Sequence, residues 1–374
     1  MKFILIFLSA LLLTGCSFKL RETEEKEQTK EKPNVILFLT DDQGYGDLSI
    51  HGNPHLNTPN LDNFARNGVM FPSFYVVPAC SPTRAGILTG RYNFRTKTLD
   101  VGDRSSYMST DEITIAEILK EEGYATGMFG KWHLGENYPL RSMDQGFDVT
   151  LLHHFCNITD DYPVGTNNFD TPLFHNGKMK EFEGYCQDTY TSHVVDFIEN
   201  NATAKKPFFA YFPTTLAHVP LQVPDSYVEP FLEKGLPEET AKVYGMIQSI
   251  DESFGQIISK LEELNIRDNT LVVFASDNGQ ASFHPERYHA GLRGLKGFMY
   301  EGGVRVPCFM QLPGKAIQKE VSLPVAYVDI LPTILDVCGI PVPNGHVIDG
   351  KSLKPLMTEE NPEWPERNIY IQWK

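Results

Sequence analysis

Four continuous apolar runs, each followed directly by polar or charged residues, constrain the fold of this chain more than any other feature. The runs cover residues 35–39, 125–129, 208–212 and 271–275. An unbroken apolar run of this length is typical of a strand buried on both faces. Amphipathic stretches lie between the runs, at residues 58–68, 110–122, 190–200 and 241–264. The alternation predicts an α/β fold with a mostly parallel central sheet and helices on both faces.

The polar residues that follow the runs are candidates for one shared site. In parallel sheets ligands bind outside the carboxyl ends of the strands, and those ends lie at the same edge. The polar residues after the four runs include Asp41, Asp42, Lys131, His133, His218, Asp277 and Asn278. We therefore expect these side chains to converge.

The acidic and amide residues after the first and last runs predict a metal site. Asp41, Asp42, Asp277 and Asn278 offer only oxygen ligands, which calcium and magnesium prefer. Adjacent acids raise each other's pKa, and a divalent cation relieves that repulsion. The alternative is that the aspartates cap helices that begin at these turns. The presence of a second, matching pair favours the metal.

Residues 80–91, with the sequence CSPTRAGILTGR, form the most specific segment. Pro82 suits the first turn of a helix that begins near Cys80. A Cys at a helix N-terminus, one turn from Arg84, lies in positive potential and is predicted to be a reactive thiolate. The alternative is that Cys80 is a buried small hydrophobic residue.

At these residues the chain resembles the type I, formylglycine-dependent sulfatases of the alkaline phosphatase superfamily. The resemblance covers about residues 34–356, and the motifs occur in the family's order. The segments that carry it are 41–44, 80–91, 130–135, 277–279, 292–297 and 301–307.

The resemblance implies a role for each motif residue. A maturase in the producing cell would convert Cys80 to formylglycine, whose hydrate is the nucleophile and also a metal ligand. One calcium ion would be held by residue 80 together with Asp41, Asp42, Asp277 and Asn278. The residues implied to act on the substrate or the hydrate are Arg84, Lys131, His133, His218 and Lys296.

Those last five residues have distinct implied tasks. Arg84 steadies the hydrate, and Lys131 and Lys296 bind the sulfate oxygens as point charges. His133 lies near the hydrate, where it could accept a proton. His218 lies near the leaving oxygen, where His218 or Lys296 donates a proton. The alternative for His218 is an ordinary hydrogen-bonded loop residue.

Further residues are candidates for sugar contact. They are His153, His154, His289 and Arg293. Trp132 could stack on a sugar or serve in packing. Each of these residues also has an interpretation as an ordinary loop residue. Cys156, Cys186, Cys308 and Cys338 could form two disulfide bridges, whose pairing the sequence leaves open.

The first 33 residues predict export and anchoring. Lys2 precedes an apolar run over residues 3–13, which is shorter than the roughly 20 residues needed to span a membrane. The ending LTGC at 13–16 resembles a bacterial lipobox with lipid on Cys16. We therefore expect a signal peptide at 1–15 and a charged tether at 16–33, which would attach an exported lipoprotein to the outer membrane, at the cell surface or in the periplasm. An ordinary signal peptide is the alternative.

The remaining residues divide into two predicted parts. A catalytic domain is expected at 34–357. The resemblance implies that residues 358–374 begin a small C-terminal antiparallel subdomain, largely missing here, with its first strand at 368–373.

The predicted function is hydrolysis of sulfate monoesters by an arylsulfatase-like enzyme, on sugars of a sulfated polysaccharide. The alternatives are a phosphoester or phosphonate hydrolase of the same superfamily and a catalytically inactive surface lipoprotein that binds glycans. Lys plus Arg is 33 and Asp plus Glu is 48, so the net charge is −15. Such an acidic chain is a poor candidate for binding nucleic acid, and any anion site in it must be a local cationic pocket.

Overall fold

A ten-stranded sheet forms the centre of the fold in a computed structural model that describes residues 31–102, 106–153, 167–281, 287–314 and 317–373. Its strands follow the spatial order β12-β2-β11-β9-β1-β8-β4-β5-β6-β7. These strands are β1 (Asn34–Thr40), β2 (Val69–Met70), β4 (Ala125–Gly130), β5 (Val149–His153), β6 (Leu173–His175), β7 (Lys178–Lys180), β8 (Phe208–Pro213), β9 (Thr270–Ser276), β11 (Cys308–Gln311) and β12 (Lys319–Glu320). A second sheet contains β10 (Arg305–Val306), β3 (Phe74–Tyr75) and β13 (Val325–Ala326).

The middle of the large sheet is parallel, as the sequence predicts. β9, β1, β8, β4 and β5 are neighbours in that order, and every pair among them is parallel. Antiparallel strands β11 and β6 flank this block. All four predicted apolar runs are strands of the block, so their carboxyl ends lie at one edge.

Two hydrophobic cores cover the two faces of the sheet. Because successive side chains of a strand point to opposite faces, β1 contributes to both. Val35, Leu37 and Leu39 belong to one core, whereas Ile36 and Phe38 belong to the other. This arrangement explains why the run lacks any polar position.

Helices pack on both faces of the sheet. They are α1 (Pro59–Arg66), α2 (Cys80–Thr89), α3 (Asn93–Thr96), α4 (Ile115–Glu121), α5 (Cys186–Thr203), α6 (Asp225–Glu233), α7 (Glu238–Glu263), α8 (Glu301–Val304), α9 (Ile330–Cys338) and α10 (Lys354–Thr358). Short 3-10 helices occupy Ser49–His51, Ser142–Gln145, Arg267–Asn269 and Tyr327–Asp329. Within the described ranges, no helix is long and apolar enough to cross a membrane.

The amphipathic stretches correspond to α1, α4, α5 and α7, with shifted ends. The stretch predicted to start at residue 110 becomes helical only at Ile115. The reason is a capping box: Thr114 Oγ1 accepts from the Glu117 amide, and the Glu117 carboxylate accepts from the Thr114 amide. This reciprocal pair fixes the first turn.

The strand predicted at 368–373 does not form, because these residues pair with no strand in the described part of the chain. The segment instead lies against the 92–100 region. The Asn93 side-chain amide donates to the Gln372 carbonyl at 2.9 Å, and the Trp373 indole donates to Asp100 at 3.3 Å. Hydrogen bonds that involve side chains therefore hold the segment. A strand would instead need hydrogen bonds to the backbone of a neighbouring strand. The predicted domain boundaries remain predictions.

Three of the four cysteines considered for disulfides are free thiols: Cys186, Cys308 and Cys338. The two-bridge arrangement is therefore wrong. Cys156 lies outside the described residues, as do His154 and the predicted signal peptide and lipidated Cys16.

Candidate active site

The loops after β1 and β9 bring the two predicted metal-ligand pairs together. Thr40 and Ser276 are partners in the parallel register, so the next residues of the two strands are neighbours. The Asp277 amide donates to the Thr40 carbonyl at 3.0 Å, and the Asp42 amide lies 3.3 Å from Asp277 Oδ1. Asp41, Asp42, Asp277 and Asn278 are all buried. The predicted convergence of these residues is confirmed.

These carboxylates do not cap helices. The first helical segment after Asp42 has Leu48 as its N-cap, and the first described helix after Asn278 has Tyr300. Ligand atoms of Asp41, Asp42, Cys80 and Asp277 instead all lie within 4.8 Å of one another. The arrangement is compatible with a metal site.

An unpaired amide oxygen supports the fit of a cation here. Asn278 Nδ2 donates to Asp42 Oδ1 at 2.7 Å. Asn278 Oδ1 is buried and accepts no hydrogen bond within the described part of the chain. A buried acceptor without a partner is costly, and a hard cation with oxygen ligands would satisfy it.

Cys80 is the first residue of α2, where the sequence predicts a helix to begin. The Thr83 hydroxyl holds the entry to the helix by donating to the Val77 carbonyl at 3.0 Å and accepting from the Val77 amide at 3.1 Å. Gly86 allows close packing, since a Cβ at this position would lie 2.0 Å from the Tyr327 ring. The Cys80 thiol lies 3.5 Å from Asp41 Oδ1.

The expectation that Cys80 is a reactive thiolate is wrong. Burial, followed by the carboxylates of Asp277 and Asp41, raises the pKa of the Cys80 thiol far above its ordinary value. Burial and the two carboxylates outweigh the nearby ammonium groups of Lys131 and Lys296, which would lower this pKa. As a plain cysteine, residue 80 is a protonated thiol, and it is also as buried as the alternative interpretation expects.

Arg84 joins three elements of the site. Its Nη2 lies 2.7 Å from Asp277 Oδ2, and its Nη1 donates to the Lys131 carbonyl at 2.7 Å. Burial alone would lower the pKa of Arg84, but Asp277 and Asp41 raise it. The guanidinium is therefore a fixed positive charge one helical turn from residue 80.

Two lysines reach the same carboxylates from different segments. Lys131 follows β4, and its Nζ lies 2.6 Å from Asp41 Oδ2. Lys296 Nζ lies 2.5 Å from Asp42 Oδ1. Burial opposes the charge of each lysine, yet Asp41 raises the pKa of Lys131 and Asp42 raises that of Lys296. Both are ammonium groups at neutral pH.

The carboxylates respond unequally to this environment. Burial would raise the pKa of Asp41, but Lys131 holds it well below its ordinary value. For Asp277, burial and then Asp41 raise the pKa to about 6 despite the contact with Arg84. Three buried carboxylates thus face three cationic side chains. A divalent cation would relieve the acids and leave the site positive, as anion binding requires.

The two predicted catalytic histidines both lie in the site, and both are neutral at physiological pH. Burial, followed by Lys131 and Arg84, lowers the pKa of His133 well below its ordinary value. His133 Nε2 lies 3.0 Å from the Val101 carbonyl, whereas Nδ1 has no partner in the described ranges. Burial also lowers the pKa of His218, whose Nε2 lies 3.7 Å from Asp42 Oδ2. The latter contact places His218 at the site and not in an unrelated loop.

A cavity of about 320 Å³ adjoins the site. His133 and His153 both line it, together with Trp132, Tyr138 and Arg141. His153 ends β5 and lies 2.5 Å from the Tyr190 hydroxyl. The Trp132 indole donates to the Leu140 carbonyl at 2.9 Å and is nearly buried, so its observed role is packing.

The other predicted sugar contacts are less closely tied to the site. His289 and Arg293 lie on the exposed segment that precedes Lys296. The Arg293 guanidinium stacks on the Tyr300 ring, 4.0 Å from its centroid. No contact joins either residue to the metal-ligand pairs within the described part of the chain.

Arg287, which the sequence did not indicate, is a buried residue that contacts the loop after β1. Its Nε donates to Asp47 Oδ1 at 2.9 Å, and its Nη2 donates to the Asp42 carbonyl at 2.8 Å. No local sequence pattern marked Arg287, because its partners lie 240 and 245 positions away in the chain. A Cβ on Gly46 would lie 2.5 Å from the Tyr288 carbonyl oxygen, so the loop needs glycine to approach this segment.

Comparison with known proteins shows the family of the chain. The family described as Sulfatase matches residues 33–340, most of the chain. The chain belongs to the sulfatase family, and the large mostly parallel sheet is the fold of that family's solved structures.

Individual relatives are similar over most of this chain. The N-acetylgalactosamine-6-sulfatase of Canis lupus familiaris is 33% identical over 87% of this chain and 66% of its own length. An ulvan-active sulfatase of Formosa agariphila is 29% identical over 94% of this chain and 70% of its own. The chain thus spans just under two thirds of the length of the first relative.

A solved structure shows the same fold. The crystal structure of Ps i-CgsB in complex with k-i-k-neocarrahexaose has a TM-score of 0.79 and 31% identity. The match covers 88% of this chain and 77% of that chain.

Proposed function

We propose that this protein hydrolyses sulfate monoesters on sugars of a sulfated polysaccharide. The observation that carries the proposal is the buried cluster of Asp41, Asp42, Cys80 and Asp277, with Lys131 and Lys296 on its carboxylates. This cluster combines ligands for a hard cation with fixed positive charges for an anion.

The similar proteins support a sugar substrate. One relative is named an ulvan-active sulfatase, and one is named an N-acetylgalactosamine-6-sulfatase. The similar solved structure contains a neocarrahexaose. A sulfated carbohydrate is therefore the substrate class that we infer for this chain.

One calcium ion and a formylglycine at residue 80 fit the residues of the site. Asp41, Asp42, Asp277 and Asn278 would hold the ion, with residue 80 beside it; the unpaired Asn278 Oδ1 is part of that fit. The ion would supply positive charge, and formylglycine would supply an oxygen nucleophile that a buried, protonated thiol cannot replace. The modification also implies a maturase as a partner during biosynthesis.

Charge at the site would bind the sulfate group. The ammonium groups of Lys131 and Lys296 contact two different carboxylates. Each ammonium group has three N–H donors, so it can donate to a sulfate oxygen and keep its hydrogen bond to the carboxylate. Arg84 stays engaged with Asp277 and fixes the start of α2. In this otherwise acidic chain, these groups form the required local cationic pocket.

Proton transfer is divided between Lys296 and His133. Lys296 holds its proton at neutral pH, so we propose Lys296 as the proton donor to the leaving oxygen. His218 is neutral and would orient that oxygen by hydrogen bonding. His133 is neutral with Nδ1 unpartnered in the described ranges, so it can accept a proton at residue 80. Such paired roles are typical of general acid–base catalysis.

The test is sulfate release from sulfated oligosaccharides by protein that was produced with a maturase. Wild type should release sulfate, and Cys80→Ala should lower the rate by several orders of magnitude. Release of phosphate from phosphoesters at a higher rate would favour the superfamily's phosphohydrolases. Binding of glycan without any release would favour the inactive lipoprotein. Full sulfatase activity of Cys80→Ala would contradict the covalent mechanism.

We also propose that the protein is an exported bacterial lipoprotein, anchored in the outer membrane through lipid on Cys16. The motif at 13–16 and the charged segment that follows support this proposal. Anchoring at the cell surface or in the periplasm would place the site where an external glycan can reach it.

A further inference from the structure

We infer that Arg287, through Asp47, is a positioning residue that holds Asp42 in the geometry needed to bind the cation. The inference rests on the proposed function, because it assigns to Asp42 the role of a metal ligand. It goes beyond that function by assigning a task to two residues that do not themselves contact the proposed ion.

Arg287 and Asp47 form an ion pair whose side chains have no exposed surface. Arg287 Nε donates to Asp47 Oδ1 at 2.9 Å, and Nη2 contacts Asp47 Oδ2. The same Nη2 donates to the main-chain carbonyl of Asp42 at 2.8 Å. The guanidinium thus joins both ends of the loop over residues 42–47.

Asp47 closes the loop from the other side. Its Oδ2 accepts from the Gly44 amide at 2.7 Å. The carboxylate is therefore shared between the backbone of the loop and Arg287. A buried carboxylate with both oxygens engaged has little freedom to move, so it makes a firm support for the arginine.

Asp42 needs such support because its backbone is strained. Its φ is 58°, in the left-handed region that non-glycine residues seldom adopt. Strain of this kind persists only when the surroundings enforce it. The hydrogen bond from Arg287 to the Asp42 carbonyl fixes the peptide on the C-terminal side of that φ.

The backbone of Asp42 determines where its carboxylate lies. In the observed conformation Asp42 Oδ1 accepts from Asn278 Nδ2 and from Lys296 Nζ. If the residue relaxed to a negative φ, the Cβ direction would change and the carboxylate would leave this position. Supporting residues of this kind alter metal affinity by about 10–100-fold in other proteins.

Calcium titration of the full chain tests the inference. All variants are produced with the same maturase, checked by mass spectrometry at residue 80, stripped with chelator and titrated with calcium by calorimetry. Arg287→Met alone leaves Asp47 as a buried unpaired charge and could unfold the protein. The decisive variant is therefore Asp47→Asn with Arg287→Met, which removes both charges together.

A matched control exists in a second ion pair, in which Asp329 is buried and the Arg367 side chain is 12% exposed. Arg367 and Asp329 also form a bidentate ion pair, and neither contacts the loop over residues 42–47. Asp329→Asn with Arg367→Met is expected to change stability by a similar amount and to leave calcium affinity unchanged. Arg287→Lys keeps the charge and should bind calcium with intermediate affinity.

The expected result is a calcium Kd at least about tenfold weaker in the Asp47/Arg287 double variant, with the chain still folded by circular dichroism. A Kd within about twofold of wild type would overturn this inference alone. Equal loss in the Arg367/Asp329 control would also overturn it, because the effect would then be general destabilisation. Wild type that binds no calcium would overturn the inference together with the metal part of the proposed function.

Discussion

Arg84 and Asp277 are joined inside the site, where Nη2 of the arginine lies 2.7 Å from Oδ2 of the aspartate and neither side chain is exposed. Because Cys80 begins the helix that carries Arg84, this ion pair ties the proposed nucleophile to one of the metal-ligand pairs. Asp277 keeps a raised pKa despite the contact, which shows how strongly burial opposes its charge. The pair therefore links α2 to the proposed metal ligands. A bound cation would offset the unfavourable burial of the Asp277 charge.

Removing the arginine should destabilise the fold strongly. Arg84→Ala leaves Asp277 as a buried charge without its partner, so the free energy of unfolding should fall by about 3–5 kcal/mol. Urea denaturation measures the change. The control is Arg66→Ala. Arg66 pairs with Asp62, but its side chain is 63% exposed, so the expected loss of stability is at most about 1 kcal/mol. Equal losses in the two variants would contradict the prediction.

Removing a proposed metal ligand should abolish both the ion and the reaction. Asp277→Ala deletes a carboxylate that the cluster cannot replace, so calcium content measured by elemental analysis should fall to background, together with sulfate release. Asp336→Ala removes a half-exposed acid that pairs with Lys354 and should change neither. Bound zinc in wild type, or full activity after chelator washing, would count against the proposed site.

The sequence was sufficient to predict four of the five parallel strands because these strands are buried on both faces. Residues 35–39 and 271–275 are apolar at every position, so they could be recognised as strands without knowing which segments pack against them. The convergence of their following residues then depended only on parallel pairing. The ends of elements depended on side-chain hydrogen bonds such as that between Thr114 and Glu117, which periodicity does not reveal.

Candidate site residues that belong to a sequence motif were predicted. Arg287 was missed, because its partners are distant in the sequence. Arg287 contacts Asp42 across 245 positions, and no local pattern marks that pairing. The protonation of Cys80 was also mispredicted, because its raised pKa depends first on burial and then on Asp277 and Asp41, which are distant in sequence. The apolar segment at 368–373 resembles a strand, but a strand also requires a backbone partner.

Stability should fall in mild acid because the partly buried ring of His51 stays neutral in the folded chain. Burial lowers its pKa to about 4 from an ordinary 6.5, and the ring stacks on Tyr45 with centroids 3.9 Å apart. The unfolded chain takes up this proton near its ordinary pKa, whereas the folded chain does so only near the lowered value. The contribution is therefore complete above pH 6.5 and is lost as the pH falls toward 4.

The expected loss attributable to His51 is about 2 kcal/mol between about pH 7 and about pH 5. His51→Gln should flatten that part of the curve, which urea denaturation at several pH values can follow. His289→Gln, at an exposed position, should leave the slope as in wild type. An unchanged slope in His51→Gln would show that other groups account for the acid sensitivity.

The proposed anchor makes a separate prediction about the N-terminus. Cys16→Ser removes the thiol to which lipid would be attached, so the variant should lose lipid, leave the membrane fraction and accumulate as precursor. Labelling with a fatty-acid probe and fractionation measure this. Cys338→Ser, which alters a free thiol of the folded part, should behave as wild type. Normal processing of Cys16→Ser would favour an ordinary signal peptide.

Residue 80 gives the most informative prediction. In wild type, the peptide that contains Cys80 should be about 18 Da lighter than its sequence mass, as formylglycine requires. A serine at this position should lie in the same place, since Arg84 holds the helix through Asp277 and the hydrogen bond of the thiol, to Asp41 at 3.5 Å, can also be made by a hydroxyl.

Cys80→Ser then separates the possible nucleophiles. If the maturase of the host also oxidises serine, the mass shift and the activity persist together. If it does not, the serine oxygen can attack once, but it lacks a second hydroxyl through which sulfate could be expelled, so one equivalent of sulfate should remain bound to the protein. Intact-mass spectrometry after incubation with substrate would detect this adduct. Continued turnover by an unmodified serine or alanine at residue 80 would instead identify water as the nucleophile.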